Sequence, residues 1–348
     1  MHSIPSIRNH LLAGQVIPAL PLALDRRRRW SELRQRAVLR YYLDAGAGGV
    51  AVGVHSTQFE IREKKHGLFG PLLAFAAETI TSWLDSRPRP FLRIAGVCGR
   101  TSQAVTEAEI AAGLGYHAAL LSVAAFKNEN ERVIIRHCER VARTIPVIGF
   151  YLQTAVGGRM LSYRFWRAFA DIPNVVAVKM APFNRYQTHD VIRAVIDSGR
   201  EDIALYTGND DNIIVDLLTP FAHAGKTRYV VGGLLGQWGV WTERATDILA
   251  GIKKARNRQK ISADWLARAA ALTDANGAIF DVANGFAGCI PGIHEILRRQ
   301  GIFETTACLN PHEKLSPGQA AELDRVIRAY PWLTDDTFVQ ENRHRWLK

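Results

Sequence analysis

Val175-Val176-Ala177-Val178-Lys179 sets an amine at the end of four consecutive apolar residues, three of them β-branched. The run is too short for a helix and does not alternate with polar residues. That is the pattern of a strand covered on both faces, as in a parallel sheet with crossover helices. Similar runs recur along the chain. Val16-Ile17-Pro18-Ala19-Leu20, Gly49-Val50-Ala51-Val52-Gly53, Phe91-Leu92-Arg93-Ile94-Ala95, Ala118-Ala119-Leu120-Leu121 and Pro146-Val147-Ile148-Gly149-Phe150-Tyr151 precede it. Ile203-Ala204-Leu205-Tyr206 and Tyr229-Val230-Val231 follow. Helical patterns lie between them: Trp30, Leu33, Ala37, Val38 and Tyr41 share one predicted face, as do Val105, Ala108 and Ala112. Eight strand–helix units in about 250 residues match the size of a closed barrel. An open doubly wound sheet needs fewer strands and often has a Gly-rich phosphate loop after the first. Here that position holds Asp25 and the run Arg26 to Arg29. The expected fold is α/β, a (β/α)8 TIM barrel over residues 10–257. Beyond it, Ser262 to Leu272, Pro291 to Arg299 and Pro317 to Tyr330 read as helices, so residues 258–348 are expected to pack on the barrel as a C-terminal helical appendage.

The chain has 348 residues, 47% of them hydrophobic, enough for a large core and against disorder. No apolar run is long enough to span a bilayer, and Met1-His2-Ser3-Ile4-Pro5-Ser6 lacks an export pattern, so a soluble, cytoplasmic protein with no membrane contact is expected. Cys98, Cys138, Cys289 and Cys308 form no C-x-x-C pair and read as free thiols. The net charge of +11 is spread along the sequence. The dense Arg26–Arg29 run reads as a solvated loop and first helical turn, and no module or aromatic–basic interleaving points to nucleic acid.

Catalytic groups of such a barrel sit at the C-terminal ends of its strands. Those ends carry Val54-His55-Ser56-Thr57, Ala124-Ala125-Phe126, Tyr151, Lys179, and Gly208-Asn209-Asp210-Asp211. If Lys179 points inward, desolvation lowers its pKa and leaves a neutral amine able to attack a ketone as an imine former. Tyr151 ends the neighbouring strand, where a phenol could carry protons. His55, Ser56, Thr57, Gly208 and Val231 are the expected substrate contacts, with Gln153, Thr154, Asn209 and Gln237 as further polar candidates. By position alone an ion-paired lysine and a packing tyrosine remain the ordinary alternatives. The strand ends supply His55 and Asp210 as potential metal ligands but no tight cluster, and no cofactor motif is visible. Neither a metal nor a cofactor is expected, since an imine is its own electron sink.

Taken together, these residues resemble the dihydrodipicolinate synthase / N-acetylneuraminate lyase family of Schiff-base enzymes. Gly14-Gln15-Val16-Ile17-Pro18-Ala19-Leu20 resembles its first strand, Ala45 through Gly53 the approach to its Gly-x-Thr-Gly-Glu motif, and Ala95 through Thr101 its third strand and loop. Tyr206-Thr207-Gly208-Asn209-Asp210-Asp211 resembles its Ser-Gly-Asp-Asp segment, and Tyr151 and Lys179 stand 28 residues apart, as the family's tyrosine and imine-forming lysine do. The resemblance implies Lys179 as the Schiff-base residue, Tyr151 as proton carrier, a 2-oxo acid substrate and a homo-oligomer, tetramer or dimer. The sequence also departs from the family. Val54 and His55 replace its two threonines, Phe126 replaces its relay tyrosine, Tyr151-Leu152-Gln153-Thr154 replaces Tyr-Asn-x-Pro, and Arg159 lies only near the place of its carboxylate-binding arginine. These changes argue against the dihydrodipicolinate synthase reaction. They imply a lyase or aldolase on a pyruvate-like or sugar-derived 2-oxo acid, with a Schiff-base dehydratase or a non-catalytic metabolite binder as alternatives.

Overall fold

The computed structural model describes residues 3–258 and 260–348. Met1 and His2, with which the N-terminal stretch read above begins, lie outside the described residues. Eight parallel strands form the wall: β1 (Val16–Pro18), β2 (Gly49–Val52), β3 (Leu92–Val97), β4 (Ala118–Leu121), β5 (Val147–Leu152), β6 (Val175–Ala181), β7 (Ala204–Thr207) and β8 (Gly232–Leu235). Neighbours in the chain are neighbours in the sheet, and β8 pairs back onto β1. The Ala19–Ala51 bridge closes the remaining gap, with the Leu20 N–H donating to Ala51 O at 2.8 Å. The architecture is a (β/α)8 barrel.

Parallel strands need crossover connections, and amphipathic helices supply them. They are α2 (Glu32–Asp44), α3 (Phe69–Leu84), α4 (Thr101–Gly113), α5 (Glu131–Ala142), α6 (Tyr163–Ala170), α7 (Arg185–Asp197), α8 (Ile213–Leu218) and α9 (Thr242–Arg256), preceded by α1 (Ile4–Leu12) across the N-terminal end. Local chemistry starts several of them: Asn130, Ser162 and Asn184 each accept a backbone N–H from the first turn of the following helix. Strand alternation then divides the core into two layers. Ile17, Ile94, Leu120 and Ile148 fill the barrel interior, whereas Val50, Leu121, Val178 and Leu205 face the helices.

Three details differ from the sequence reading. The last strand is Gly232–Leu235, not Tyr229–Val231, which only leads into it from a small hairpin of Phe221–His223 with Lys226–Arg228. A Cβ at Gly232 would lie 2.5 Å from Gln15 O and one at Gly233 2.6 Å from the Trp238 ring, so close packing selects residues of poor strand propensity. Leu33 lies off the buried face of α2 and is 49% exposed. The arginine run is a turn and not the first turn of a helix: Asp25 Oδ1 accepts the N–H groups of Arg27 (2.8 Å) and Arg29 (2.9 Å), and α2 begins at Glu32.

The C-terminal part comprises α10 (Asp264–Ile279), α11 (Cys289–Arg299), α12 (Gln319–Ala329) and α13 (Asp336–Trp346), the last not anticipated. α13 lays Trp346 against Tyr41 of α2, ring centroids 5.3 Å apart. Buried Asp335 accepts from the Tyr41 hydroxyl (2.6 Å), Gln300 Nε2 (2.8 Å) and the Glu243 N–H (3.2 Å). All four cysteines are unpaired, and among the described residues no helix is long and apolar enough to cross a membrane.

Candidate active site

The orientation of Lys179 is set by a β-bulge. Val147 pairs with Val175, but Ile148 pairs with Ala177, which leaves Val176 as an extra residue in β6. Val176 and Ala177 both belong to the interior layer, after which alternation resumes. A regular strand starting from outward Val175 would turn Lys179 toward the helices; the extra residue turns it into the barrel. Lys179 therefore pairs with Phe150, and Tyr151 pairs with Met180.

The structure does not bring Tyr151 to Lys179. Tyr151 faces the helical layer, its ring 5.2 Å from that of Trp166, and its hydroxyl donates to Leu161 O and accepts from the Leu161 N–H, both at 3.2 Å. The aromatic neighbour of the amine is Phe150, whose ring centroid lies 4.3 Å from Nζ. Spacing along the chain matches the family pattern, but the bulge shifts the partner across the strands by one residue.

At the C-terminal mouth of the barrel a cavity of about 80 Å³ holds Lys179, His55, Ser56, Gly208, Asp210 and Gln153. Lys179 is only 9% exposed, and burial pulls its amine down from 10.5 to about 8 against the opposing pull of Asp210. Gly208 makes room for it, since a Cβ there would lie 2.6 Å from Lys179 Cε. Burial raises the Asp210 carboxyl to about 7 while the lysine opposes the rise, and its Oδ1 is buried with no hydrogen-bond partner. Burial, with the lysine's charge, lowers the His55 imidazole to about 4, so it is neutral at pH 7. His55–Thr57 form a 310 turn, and the N–H groups of His55 and Ser56 at its start have no acceptor within the turn. The Ser56 hydroxyl donates to Leu20 O at 3.3 Å.

Other candidates lie elsewhere. Thr57 holds the loop together and does not line the cavity: its hydroxyl donates to Leu20 O (2.6 Å) and accepts from the Gly53 and Val54 N–H groups (3.1 and 3.2 Å). Val231 sits before β8, at the opposite end of the barrel, in an open cleft with Leu12 and Arg200. A cleft of about 620 Å³ also opens at that end, beside Ile4 and Ile7, away from the lysine. Asn209 is a strut, accepting from the Phe183 N–H (3.0 Å) and donating to Thr188 Oγ1 (3.2 Å) and Asp216 (3.0 Å). The Arg159 guanidinium is tied to Phe126 O (2.5 Å) and Glu129 O (3.0 Å). Thr154 and Gln237 do not line the cavity. Among the described residues no group of three or more His, Cys, Asp or Glu could hold a metal ion.

Two features went unread in the sequence. Asp210 was noted only as a possible metal ligand, although a carboxylate ending the strand beside the lysine's was a signal for pairing with it. The roof of Phe280, Phe286, Cys289 and Ile293 comes from α11 and the segment between α10 and α11, where no local pattern marks proximity to residue 179.

No family model matches the chain. Over 112 residues it is 28% identical to the 4-hydroxy-tetrahydrodipicolinate synthase of Sulfurihydrogenibium sp. (strain YO3AOP1), a stretch covering 32% of this chain and 37% of that enzyme. Among solved structures it is similar to YagE, a prophage protein of the dihydrodipicolinic acid synthase family from E. coli K12 in complex with pyruvate, with a TM-score of 0.74 at 16% identity over 92% of this chain and 99% of the other. Dihydrodipicolinate synthase from Cyanidioschyzon merolae with lysine bound gives 0.73 at 18% identity, covering 93% and 99%. The chain has the dihydrodipicolinate synthase fold. N-acetylneuraminate lyase from Fusobacterium nucleatum has this fold too, with a TM-score of 0.68 at 17% identity over 92% and 99%. The shared fold and the local sequence match agree with the resemblance that the strand-end motifs carry.

Proposed function

We propose that this protein is an imine-forming lyase of the aldolase type, acting on a pyruvate-like or sugar-derived 2-oxo acid. One observation carries the reading: the Lys179 amine, lowered by burial, shares a small cavity with Asp210, whose Oδ1 is buried without a hydrogen-bond partner. Lys179 attacks the substrate's C2 carbonyl, and the carbinolamine loses water to give a protonated imine. That cation draws the electron pair of the C3–C4 bond, while Asp210 takes the proton of the C4 hydroxyl and an aldehyde departs. The enamine left behind is protonated at C3, and water releases pyruvate from Lys179. The N–H groups of His55 and Ser56 suit the substrate carboxylate. His55 itself, being neutral, orients and fills space without adding charge.

The dihydrodipicolinate synthase reaction is not part of this proposal, because Val54, Phe126 and Phe150 put apolar groups where a hydroxyl relay would run. Phe150 beside the amine also favours a second reading, a metabolite-binding relative without turnover. Borohydride reduction in the presence of pyruvate and larger 2-oxo acids, followed by peptide mass mapping, separates the two. The lyase reading expects an adduct on Lys179 that is lost in Lys179→Ala; no adduct with any of these acids leaves the binding reading. The proposal includes a cytoplasmic homo-oligomer, dimer or tetramer, whose mass light scattering would give.

A further inference from the structure

We infer that the part of the substrate beyond C4 is a short alkyl or aryl group, so that the aldehyde released is apolar and not a sugar. The inference rests on the imine reading and narrows it. The cavity's polar groups are segregated: Lys179, His55, Ser56 and Asp210 sit on the strand ends and the first turns after them. The rest of the lining is mostly apolar: Phe150 beside the amine, then Leu152, Val156, Phe183, Phe286 and Ile293. Gln153 and Cys289 are the exceptions in that outer part, and no arginine or second lysine lines the cavity.

A polyhydroxylated chain brings a hydroxyl on nearly every carbon, and each must find a partner when buried. One glutamine, beyond the groups occupied at C1 to C4, cannot supply them. A second carboxylate would find no cation. An apolar tail loses nothing on entry and gains from burial against the rings. The roof is also held in place. Phe183 and Phe286 both have left-handed backbone angles (φ 53° and 69°), an uncommon conformation for bulky residues, and their rings meet edge to face at 6.2 Å.

The balanced reaction is the retro-aldol cleavage of a 4-hydroxy-2-oxo acid. The C3–C4 bond breaks, its electron pair enters the enamine, and the C4 hydroxyl proton passes to Asp210. The water lost in forming the imine is returned in hydrolysing it, so one substrate gives pyruvate and one aldehyde, with no oxidant or second substrate.

The test has two arms. Borohydride trapping with pyruvate reports on imine formation at Lys179. Steady-state cleavage of 4-hydroxy-2-oxohexanoate and 4-hydroxy-4-phenyl-2-oxobutanoate, against 2-oxo-3-deoxygluconate, reports on the tail. The expected kcat/KM favours one of the apolar substrates by about 10-fold or more, and Phe286→Ser or Ile293→Asn, each checked for folding by circular dichroism, shrinks that ratio. A lysine adduct accompanied by equal or faster cleavage of the sugar acid overturns the tail and leaves the imine reading standing. No adduct at all overturns both.

Discussion

Burial brings the Lys179 amine down from 10.5 to about 8, so at pH 7 a far larger share of it is neutral than of a solvated lysine. Asp210, raised toward 7, titrates beside it, so the protons leave as a pair's and not as either residue's alone. Cleavage needs both groups deprotonated at the start, the amine to attack and the carboxylate to accept. The logarithm of kcat/KM is therefore expected to rise with a slope above one below about pH 7 and to level off above about pH 8. In Asp210→Asn the negative charge that holds the proton on Lys179 is gone. The pH midpoint for borohydride trapping should then fall, while cleavage slows by about 100-fold or more; a midpoint that stays or rises would show that the two groups do not interact. Tyr151 makes the opposite case. Its hydroxyl serves both the N–H and the carbonyl of Leu161, so Tyr151→Phe should cost about 1–2 kcal/mol in urea denaturation and leave the trapping rate as it was. A collapse in trapping at unchanged stability would return Tyr151 to the catalytic machinery.

The elements that carry these residues show what a sequence can and cannot reveal. Strands β1 to β7 were legible because each is largely buried on both faces and reads as an apolar run, interrupted by Arg93 in β3. The eighth was misplaced because its glycines answer to packing against Gln15 and Trp238, an influence from distant parts of the chain. Lys179 was legible as a strand-end amine, but its partner was not. The bulge at Val176 leaves every local pattern intact while exchanging the faces of all that follows. Gly208 offers the sharpest test at this scale. Its place on the loop after β7 was readable as a substrate contact, whereas in the structure it vacates the volume through which the Lys179 side chain runs. Its backbone is not left-handed, so Gly208→Ala should fold with some loss of stability, since the methyl group would press on Ala181 Cβ (2.8 Å) and displace the lysine stem. Trapping should slow by about 10-fold or more, with far-ultraviolet dichroism unchanged; normal trapping in the alanine variant would mean that the amine has room to spare.

Across the whole molecule, several basic residues reach neutral acceptors as well as acids. The Arg200 guanidinium pairs with Asp202 and also reaches the carbonyls of Ala170, Ile172, Pro173 and Val175, and Arg256 reaches those of Leu217 and Val230. Such bonds to carbonyls tie connecting segments together without needing an acid. Barrel and appendage are joined just as firmly. Asp335, just ahead of α13, accepts hydrogen bonds from Tyr41 of α2, from the Glu243 N–H of α9 and from Gln300 after α11. Asp335→Ala strands three donors and should cost about 3 kcal/mol or more, lowering a single calorimetric transition; two separated transitions would mean that the parts unfold independently. The roof over the lysine extends this dependence into time. A growing polypeptide contains residue 179 long before it contains Phe280, Phe286 or Ile293, and until those residues arrive and fold the amine is bathed in water. Until then it is an ordinary charged side chain, and an amine of lowered pKa exists only once those residues have folded over it.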